Sequence, residues 1–558
     1  MILQQLAQSR WGRLLAVLVV CGSSFFIHGD APAVSLMESR NFVAAREMVA
    51  GGSWLIPTMN GELRLAKPPL PTWAVAAVQL FTGPTADLGL LRLPAALAAT
   101  LLVLFFWGLV RELTRHQPAE GAAPGRTAWL AALVLASSLL VITTGREGQW
   151  DIFANSLLIG GVWLLVRGWQ RVGAGTGSLF GAGVLVGLAM LSKGPVPLYG
   201  ILVPFLGAYL LGQPRHRQVV RQHTAATMLA VLVALVVGLS WPVYVWAHVA
   251  PVARAVARTE VSSWADRHVQ PFWYYWSFFA FTGLWALVAL ASLVTTYARP
   301  RLRAFIPYGV ALAWVLGGLV LLSVVPEKKE RYMLPLMPPL ALLIAGLLRY
   351  WESRPVREWS RTDGWLLKSW GGLLAAVCAA LPVALGWVSL SGFEVGTFRF
   401  MLVSLVFGGV AGGLIVHVVR GVRPVRLVGA TLLVTGAVTG LLMPVYPVWE
   451  ARKATASLPR MESVGGKSAY AGVSRWYSLD TMHVKQVWAA GRAVPIWHPT
   501  DSSLAALPGR VVVVAGSSIQ KKLPAGWERR VRISQPDSFY LGRDEKSGYW
   551  LICRLDPI

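Results

Sequence analysis

Five long runs of this chain contain no Asp, Glu, Lys or Arg, and each is near or above the ~18 residues that cross a bilayer as a helix. They are Leu93–Val110, Thr127–Gly145, Thr224–Ala247, Ala304–Pro326 and Leu427–Trp449. Only 14% of the 558 residues are charged, whereas a soluble chain carries roughly a quarter. The sequence therefore predicts an all-α polytopic membrane protein.

The basic residues cluster in short segments between the apolar runs, which is the distribution that the positive-inside rule describes. The net charge of +25 is thus explained by topology, and we expect no nucleic-acid partner. Arg10 and Arg13 favour a cytoplasmic N-terminus, and about thirteen helices then put the basic clusters on one side. The helices are predicted at about 11–28, 90–111, 127–145, 151–168, 177–192, 195–212, 224–247, 274–297, 305–325, 332–349, 368–391, 398–419 and 426–445.

This count divides the chain into a transmembrane domain, 1–449, and a C-terminal domain, 450–558, that helix parity places in the periplasm. The first has a long outer loop, 29–89, in which the apolar stretch 70–81 is too short to span and predicts an interfacial helix. The second has ordinary polarity and short β-like runs at 511–514, 538–541 and 549–553, which indicate a small α/β domain. A bacterial inner membrane is the expected location.

Several charged residues break the positive-inside trend because they lie on the outer face at helix ends or in loops. Lys67 precedes two prolines, whose restricted backbone can aim the ammonium group; contact with lipid headgroups is the alternative. Asp151 opens a membrane helix, where a carboxylate is costly unless it acts or is paired, with helix capping as the other reading. Arg146 and Glu147 lie in the turn before it, and Glu147 is a candidate substrate contact.

Three further outer segments carry polar side chains. Lys193 lies in "SKGP", where Gly and Pro break the helix and expose backbone N–H groups beside the lysine. Arg331 and Tyr332 open a later helix, and an arginine there can fork onto a phosphate, with interfacial anchoring as the alternative. Arg254 and His268 belong to a predicted loop at about 248–273 and are candidate substrate contacts.

The first outer loop contains a predicted amphipathic helix that carries Glu38 and Arg40. Its charges either serve the site or are merely solvated among headgroups. Cations and a few carboxylates on one face suit a transfer reaction with a lipid-phosphate donor, because the cations stabilise a departing phosphate while a carboxylate takes a proton from the acceptor hydroxyl. The cysteines and histidines show no metal-ligand spacing. We expect no required cofactor, although a divalent ion stays possible.

Short motifs of this loop resemble the GT-C membrane glycosyltransferases, in particular the superfamily of protein O-mannosyltransferases and lipid A aminoarabinose transferases (glycosyltransferase family 39-like). The matches are Glu38-Ser39-Arg40, Arg46-Glu47-Met48, Ser53-Trp54, Pro57, Asn60-Gly61 and Lys67-Pro68-Pro69-Leu70. They continue through Asp151, "SKGP" and "ERYMLP", so that the resemblance covers about residues 30–345. The combination is specific, whereas no single motif is.

The resemblance implies a GT-C fold and an inverting transferase that uses a polyprenyl-phosphate sugar at the periplasmic face, with a lipid A-like glycolipid or a protein as acceptor. Its implied phosphate ligands are Lys67, Lys193, Arg331, Arg40 and Arg146. Two departures stand out, since Met37 and Ala66 occupy positions where the superfamily usually has acids. Glu38 is therefore the first candidate for the catalytic base and Asp151 the second, with Asp30 less well placed.

Two other functions compete with glycosyl transfer. A transporter or lipid flippase usually places its charges near mid-membrane and shows paired broken helices, whereas these charges gather at one face. A non-catalytic polysaccharide-assembly protein would need neither Glu38 nor Lys67 for its role.

Overall fold

Nine helices of the described chain are long and apolar enough to cross a membrane. The computed structural model describes residues 9–171, 175–388, 390–453, 470–507, 509–539 and 550–558. Within these ranges the nine are Leu88–Thr114, Trp150–Gln170, Gly175–Lys193, Thr224–Ser263, Phe272–Leu293, Glu330–Ser353, Arg361–Val388, Phe398–Arg420 and Pro424–Leu442. The chain is thus a mainly helical, multi-pass membrane protein, as predicted.

The predicted spans that miss this combined test of length and hydropathy are helical as well. The helices Arg126–Ala136 and Leu139–Gly145 meet at a bend of 61° and together raise the number of candidate spans to ten. Shorter apolar helices are Leu70–Thr82, Leu198–Gly212 and Tyr308–Val324, and the first helix Arg10–Cys21 continues into a π-helical turn, Gly22–Phe26. Thirteen spans stay a prediction.

The predicted loop at 248–273 is wrong over most of its length, because the helix that begins at Thr224 runs on to Asp266. It breaks only at Val249, whose φ of −139° and ψ of 44° are not helical. Pro251 follows two residues later, and a proline has no N–H to donate and displaces the carbonyl four residues before it. The proline kinks the helix here without ending it.

The segment predicted as one helix at 274–297 is also more broken than expected. It consists of the 3-10 turns Phe272–Tyr275 and Phe278–Trp285, followed by the helices Ala286–Leu293 and Thr295–Leu302. Gly283 has a φ of 68°, which a helix does not allow. Other short helices of the described chain are Pro214–Gln222, Val445–Lys453, Val484–Ala489 and Asp501–Ala505, with 3-10 turns at Pro118–Glu120, Val356–Glu358, Gln520–Lys522 and Trp527–Arg529.

Two compact units make up the fold. The membrane unit comprises Met1–Ala31, Ala66–Pro71 and Arg92–Val445, and the loop–sheet unit comprises Pro32–Leu65, Thr72–Leu91 and Tyr446–Ile558. The predicted domain boundary at 449/450 stays a prediction, but most of the first outer loop groups with the C-terminal segment.

A five-stranded sheet lies near the C-terminus, in the loop–sheet unit. Its strands are β3 (Trp476–Ser478), β4 (Val511–Ala515), β5 (Val531–Ile533), β6 (Asp537–Phe539) and β7 (Trp550–Pro557), and the short strands β1 (Thr58–Met59) and β2 (Glu62–Leu63) form a separate hairpin. The order is β3-β4-β7-β5 with β6 also on β7; β3 and β4 are parallel and the other pairs antiparallel. Strand β4 is buried on both faces, as its unbroken valine run predicts. Two of the predicted β-like runs extend into 540–549, outside the described residues.

The first-loop helix Leu36–Val49 packs within this unit rather than lying free. Phe42 is fully buried, and its ring centroid lies 5.5 Å from that of Trp488. Nη2 of Arg46 donates to the carbonyl of Val487 at 3.0 Å, and burial lowers the pKa of this arginine to about 10, although Glu47 acts in the opposite direction. The helix is therefore a structural partner of the C-terminal sheet.

The Asn60-Gly61 motif forms the turn of the β1–β2 hairpin. Both residues have positive φ, 59° and 80°, which a two-residue type I′ turn requires. The carboxylate of Glu47 holds the turn, because it accepts from the hydroxyl of Thr58 at 2.7 Å and from the N–H of Asn60 at 2.6 Å. These hydrogen bonds account for the presence of both Glu47 and Asn60-Gly61 among the first-loop motifs.

Candidate active site

Asp151 lies at the start of the helix Trp150–Gln170 and is 4% exposed. Its two oxygens face different cations: Oδ1 accepts a hydrogen bond from Lys193, and Oδ2 lies 3.5 Å from Nε of Arg331. The helix is capped by Gln149 without a side-chain hydrogen bond, so capping does not explain this aspartate. A buried carboxylate between two cations fixes both of them in place.

Lys193 is delivered by the end of the helix Gly175–Lys193. Gly194 follows with a φ of 76° and donates its N–H to the carbonyl of Met190 at 2.7 Å, the left-handed stop that a glycine provides at a helix C-terminus. The predicted break is confirmed here, but this N–H is used inside the helix end and does not serve an anion. The side chain of Lys193 is buried against Asp151.

Tyr332 lies at the centre of a cation cluster, which consists of Lys193, Lys329 and Arg331 around its ring. Nζ of Lys193 lies 4.5 Å from the ring centroid, Nζ of Lys329 lies 5.6 Å from it, and Cζ of Arg331 lies 5.7 Å from it. These distances are within the ~6 Å at which a ring face attracts a cation. The tyrosine therefore gathers positive charge at one point of the membrane unit.

The backbone that carries Arg331 is held by a second layer of contacts. Lys329 donates its N–H to the hydroxyl of Tyr275 at 3.2 Å and pairs through Nζ with Glu327 at 2.5 Å. Nε of Arg331 is buried and, among the described residues, has no hydrogen-bond partner; its contact with Asp151 is an ion pair of poor hydrogen-bond geometry. The side chain as a whole is 23% exposed, so a ligand would reach the other nitrogens of this guanidinium.

Lys67 is near enough to Lys193 for the two positive charges to repel each other, and Arg331 acts on Lys193 in the same way. Its Nζ lies 2.8 Å from Oε2 of Glu260, and the two side chains are 26% and 31% exposed. Sequence reasoning gave Glu260 no role. The available signal was that it is the one acidic residue in the stretch 248–265, on a segment that also carries Arg254 and Arg258.

Arg146 is held by backbone carbonyls, whereas Lys67, Lys193 and Arg331 face carboxylates. Its guanidinium donates to the carbonyls of Ser24 at 3.0 Å, Ile27 at 2.6 Å and His28 at 2.7 Å, where the first helix ends. The neighbouring Glu147 accepts from the side-chain amide of Gln149. These contacts tie two segments of the membrane unit together, and the phosphate-binding and substrate-binding roles of both residues stay predictions.

Arg254 and His268 are both exposed. The guanidinium of Arg254 lies over the ring of Trp246 at 5.3 Å. Arg254 belongs to the continuation of the helix past residue 247, which the sequence did not predict. His268 has a left-handed backbone, with φ of 51°, and its carbonyl accepts the N–H of Lys328 at 3.2 Å. The bridge between Val269 and Glu327 continues this pairing, so His268 lies on the segment that packs beside the Lys329–Tyr332 turn.

Glu38 and Arg40 lie in the loop–sheet unit. Glu38 is fully buried at the third position of the helix Leu36–Val49, and its Oε2 accepts the N–H of Ser35 at 2.8 Å, while the Ser35 hydroxyl accepts the N–H of Glu38. This reciprocal pair is a capping box. Arg40 is half-buried, with Nη1 at 3.8 Å from the sulfur of Met37. The solvated-helix alternative does not describe this helix.

Across the described ranges, no three His, Cys, Asp or Glu side chains group closely enough to hold a metal ion. The positive charge here is instead carried by lysines and one arginine, which contact a tyrosine ring and three carboxylates: Asp151, Glu327 and Glu260. Such an arrangement has the charge that an anion with several oxygens requires, near the ends of membrane helices.

The sequence of the chain matches one family model and is similar to several named relatives. Residues 66–246 match the family model described as dolichyl-phosphate-mannose-protein mannosyltransferase. An undecaprenyl phosphate-alpha-4-amino-4-deoxy-L-arabinose arabinosyl transferase of Pseudomonas fluorescens is 26% identical over 424 residues, covering 74% of this chain and 69% of the relative. Its counterpart from Pseudomonas paraeruginosa is 28% identical over 426 residues, covering 74% and 71%.

Solved structures extend the similarity over nearly the whole chain. The crystal structure of ArnT from Cupriavidus metallidurans bound to undecaprenyl phosphate superposes with a TM-score of 0.64 at 17% identity, covering 97% of both chains. The apo state of the same protein gives 0.59 at 18% identity, again over 97% of both. At these identities the likeness establishes a common fold.

Proposed function

We propose that this protein, a membrane glycosyltransferase of the GT-C class related to the aminoarabinose transferases and the protein mannosyltransferases, moves one sugar from a polyprenyl-phosphate donor to a glycolipid. A lipid A-like glycolipid is the first acceptor and an exported protein the second. The relatives' names, which specify an undecaprenyl-phosphate aminoarabinose, support a donor of this class.

The observation that carries the proposal is the grouping of Lys67, Lys193 and Arg331 in the membrane unit, with Asp151 between two of them. When a sugar phosphodiester reacts at the sugar carbon, the phosphate is the leaving group. It departs with the additional negative charge on its oxygen. Preorganised cations in a site of low dielectric stabilise that charge as it develops. The side chain of Arg331 is 23% exposed, so its guanidinium is accessible to such a phosphate.

In the proposed step the acceptor oxygen forms a bond to the anomeric carbon while the bond from that carbon to the phosphate oxygen breaks. The bonding electron pair leaves with the polyprenyl phosphate, and the acceptor's proton passes to a carboxylate. Attack opposite to the leaving phosphate inverts the anomeric centre, with oxocarbenium character as in glycoside hydrolysis. No metal takes part in this scheme.

The carboxylate that receives the proton is proposed to be Glu38, with Asp151 second. Both oxygens of Asp151 already face cations, so its contacts favour a positioning role over proton transfer. Arg40, Arg146, Tyr332, Glu147, Arg254 and His268 remain proposed ligands of the donor or acceptor, and among them Tyr332 has the most direct contacts with the cation cluster.

Topology completes the proposal. Thirteen spans with a cytoplasmic N-terminus put the reaction and the C-terminal sheet in the periplasm of a bacterium's inner membrane. Substrate on that face is consistent with a polyprenyl carrier, whose phosphate lies at the depth of helix ends. Cysteine labelling at positions next to Lys67 and Arg111 with an impermeant reagent would report the two faces separately.

The test is transfer by the purified full-length protein in detergent micelles with undecaprenyl-phosphate aminoarabinose and lipid A. Mass spectrometry should find lipid A heavier by one sugar and free undecaprenyl phosphate in equal amount. Movement of the intact donor between leaflets of a vesicle, with neither product formed, would instead support the flippase. If lipid A is not modified but a periplasmic protein is, the acceptor is a protein and the proposed transfer reaction still stands.

A further inference from the structure

A cavity of about 630 Å³ lies in the membrane unit and outside the cation cluster. Its walls are the start of the first helix, the helix Leu88–Thr114 and the turn Pro124-Gly125. We infer that this cavity binds the phosphate headgroup of an anionic phospholipid, at the end of the unit that the sequence predicts to be cytoplasmic. The inference does not depend on the proposed transfer reaction.

Three arginines line the cavity: Arg10, Arg13 and Arg111. Arg13 is repelled by Arg126, Arg349 and Arg111, and the acid that acts on it is Glu120. The carboxylate of Glu120 accepts the N–H of Gly125 at 2.5 Å and is not among the lining residues. Positive charge thus exceeds negative charge at this point, which favours an anion.

The wall of the cavity is held in shape by two hydrogen bonds. Nη1 of Arg13 donates to the carbonyl of Pro124 at 2.6 Å, and the indole N–H of Trp129 donates to the carbonyl of Arg13 at 3.1 Å. Gly125 has a φ of 70° and begins the next helix. Its missing side chain matters, because a Cβ there would lie 3.3 Å from Nη1 of Arg13.

The ring of Trp107 is part of the cavity wall. Its Nε1 is buried and makes no hydrogen bond to any residue that the structure describes. Because that nitrogen is shielded even from water, the ring and not the N–H faces the cavity, and the charge of the site comes from the arginines.

The apolar part of the lining argues for a lipid over a soluble anion. Leu14 and the rings of Trp11 and Trp107 face the cavity. Trp11, Leu15, Leu18 and Val19 are 80%, 56%, 41% and 61% exposed, and their spacing of four, seven and eight residues puts them on one face of the helix. An acyl chain that follows this stripe would leave its phosphate at Arg10 and Arg13, since interfacial tryptophans mark headgroup depth.

The test is native mass spectrometry of the full-length protein in detergent, titrated with phosphatidylglycerol or with zwitterionic phosphatidylcholine. We expect tighter binding of the anionic lipid and its loss in Arg10→Gln/Arg111→Gln, by about fivefold for each arginine. Both arginines are exposed, so the fold should tolerate the changes. Arg420→Gln/Arg423→Gln, at another exposed basic end, is the matched control and should bind as wild type does.

Equal binding of the two lipids, or equal effects of the test and control pairs, would overturn the inference. Competition by millimolar inorganic phosphate would identify a soluble-anion site and overturn it as well.

Discussion

Lys67 and Glu260 form an ion pair, 2.8 Å between Nζ and Oε2, although 193 residues separate them in the chain. Lys67 is the cation that its two following prolines are predicted to aim at the donor phosphate. The pair means that a phosphate must compete with Glu260 for this lysine. In the proposed function, binding of the donor would release this carboxylate next to the phosphate.

Glu260→Gln should therefore strengthen the binding of undecaprenyl phosphate, because the lysine no longer has a charged competitor. A partly exposed pair is worth up to ~1 kcal/mol, so we expect a gain of about two- to fivefold in affinity. Tryptophan fluorescence or native mass spectrometry would measure it. Asp266→Asn, a substitution of an exposed acid on the same helix, should change nothing; weaker binding by the Glu260 variant would contradict the competition.

Asp151→Asn should remove the shared partner of Lys193 and Arg331. Breaking a buried ion pair on one side costs ~3–5 kcal/mol, since the other charge stays buried. We expect a lower melting temperature and transfer reduced by at least 100-fold.

The double variant Asp151→Asn/Lys193→Gln separates stability from activity. Removal of both charges should restore much of the lost stability, while transfer stays low because the phosphate has lost a ligand. A double variant that recovers transfer along with stability would show that Asp151 and Lys193 act only in folding.

Two substitutions of Glu38 separate its capping contact from proton transfer. Gln preserves a capping box and cannot accept the proton, whereas Ala removes both functions at a cost of about 1 kcal/mol. If Glu38 is the base, Glu38→Gln should melt near the wild-type temperature and transfer at least ~100-fold more slowly. Full activity in Glu38→Gln with a destabilised Glu38→Ala would leave the residue a structural role alone.

Chelation tests the absence of a metal from the proposed step. Because lysines and arginines supply the positive charge, excess EDTA should leave the transfer rate within twofold of its value in untreated protein. A large fall that is reversed by added Mg²⁺ or Mn²⁺, but not by Ca²⁺, would contradict this part of the scheme.

The membrane class, the helical segments and the grouping of charged residues on one face were predictable because hydropathy and charge are local properties of a sequence. Asp151, Lys193 and Arg331 lie at helix ends, so helix parity alone indicated that they share a face, and the structure brings them together. The helical break after Lys193 followed from Gly194.

Other features depend on packing between distant segments and left little trace in the pattern. The continuation of a helix past Pro251 is one, because a proline can kink a helix or end it with the same sequence signal. The three backbone carbonyls that occupy Arg146 are another. The same is true of Glu260, since a partner for Lys67 on a distant helix is visible only in three dimensions.

The central claim is that Lys67 and the cation cluster around Tyr332 bind the phosphate of the donor lipid. The most direct measurement is the dissociation constant of undecaprenyl phosphate for wild type, Lys67→Ala, Lys193→Met and the control Lys368→Ala, an exposed lysine of the helix Arg361–Val388. The account predicts affinity at least tenfold weaker for the first two variants and unchanged for the control. Equal affinity in all four proteins would contradict it.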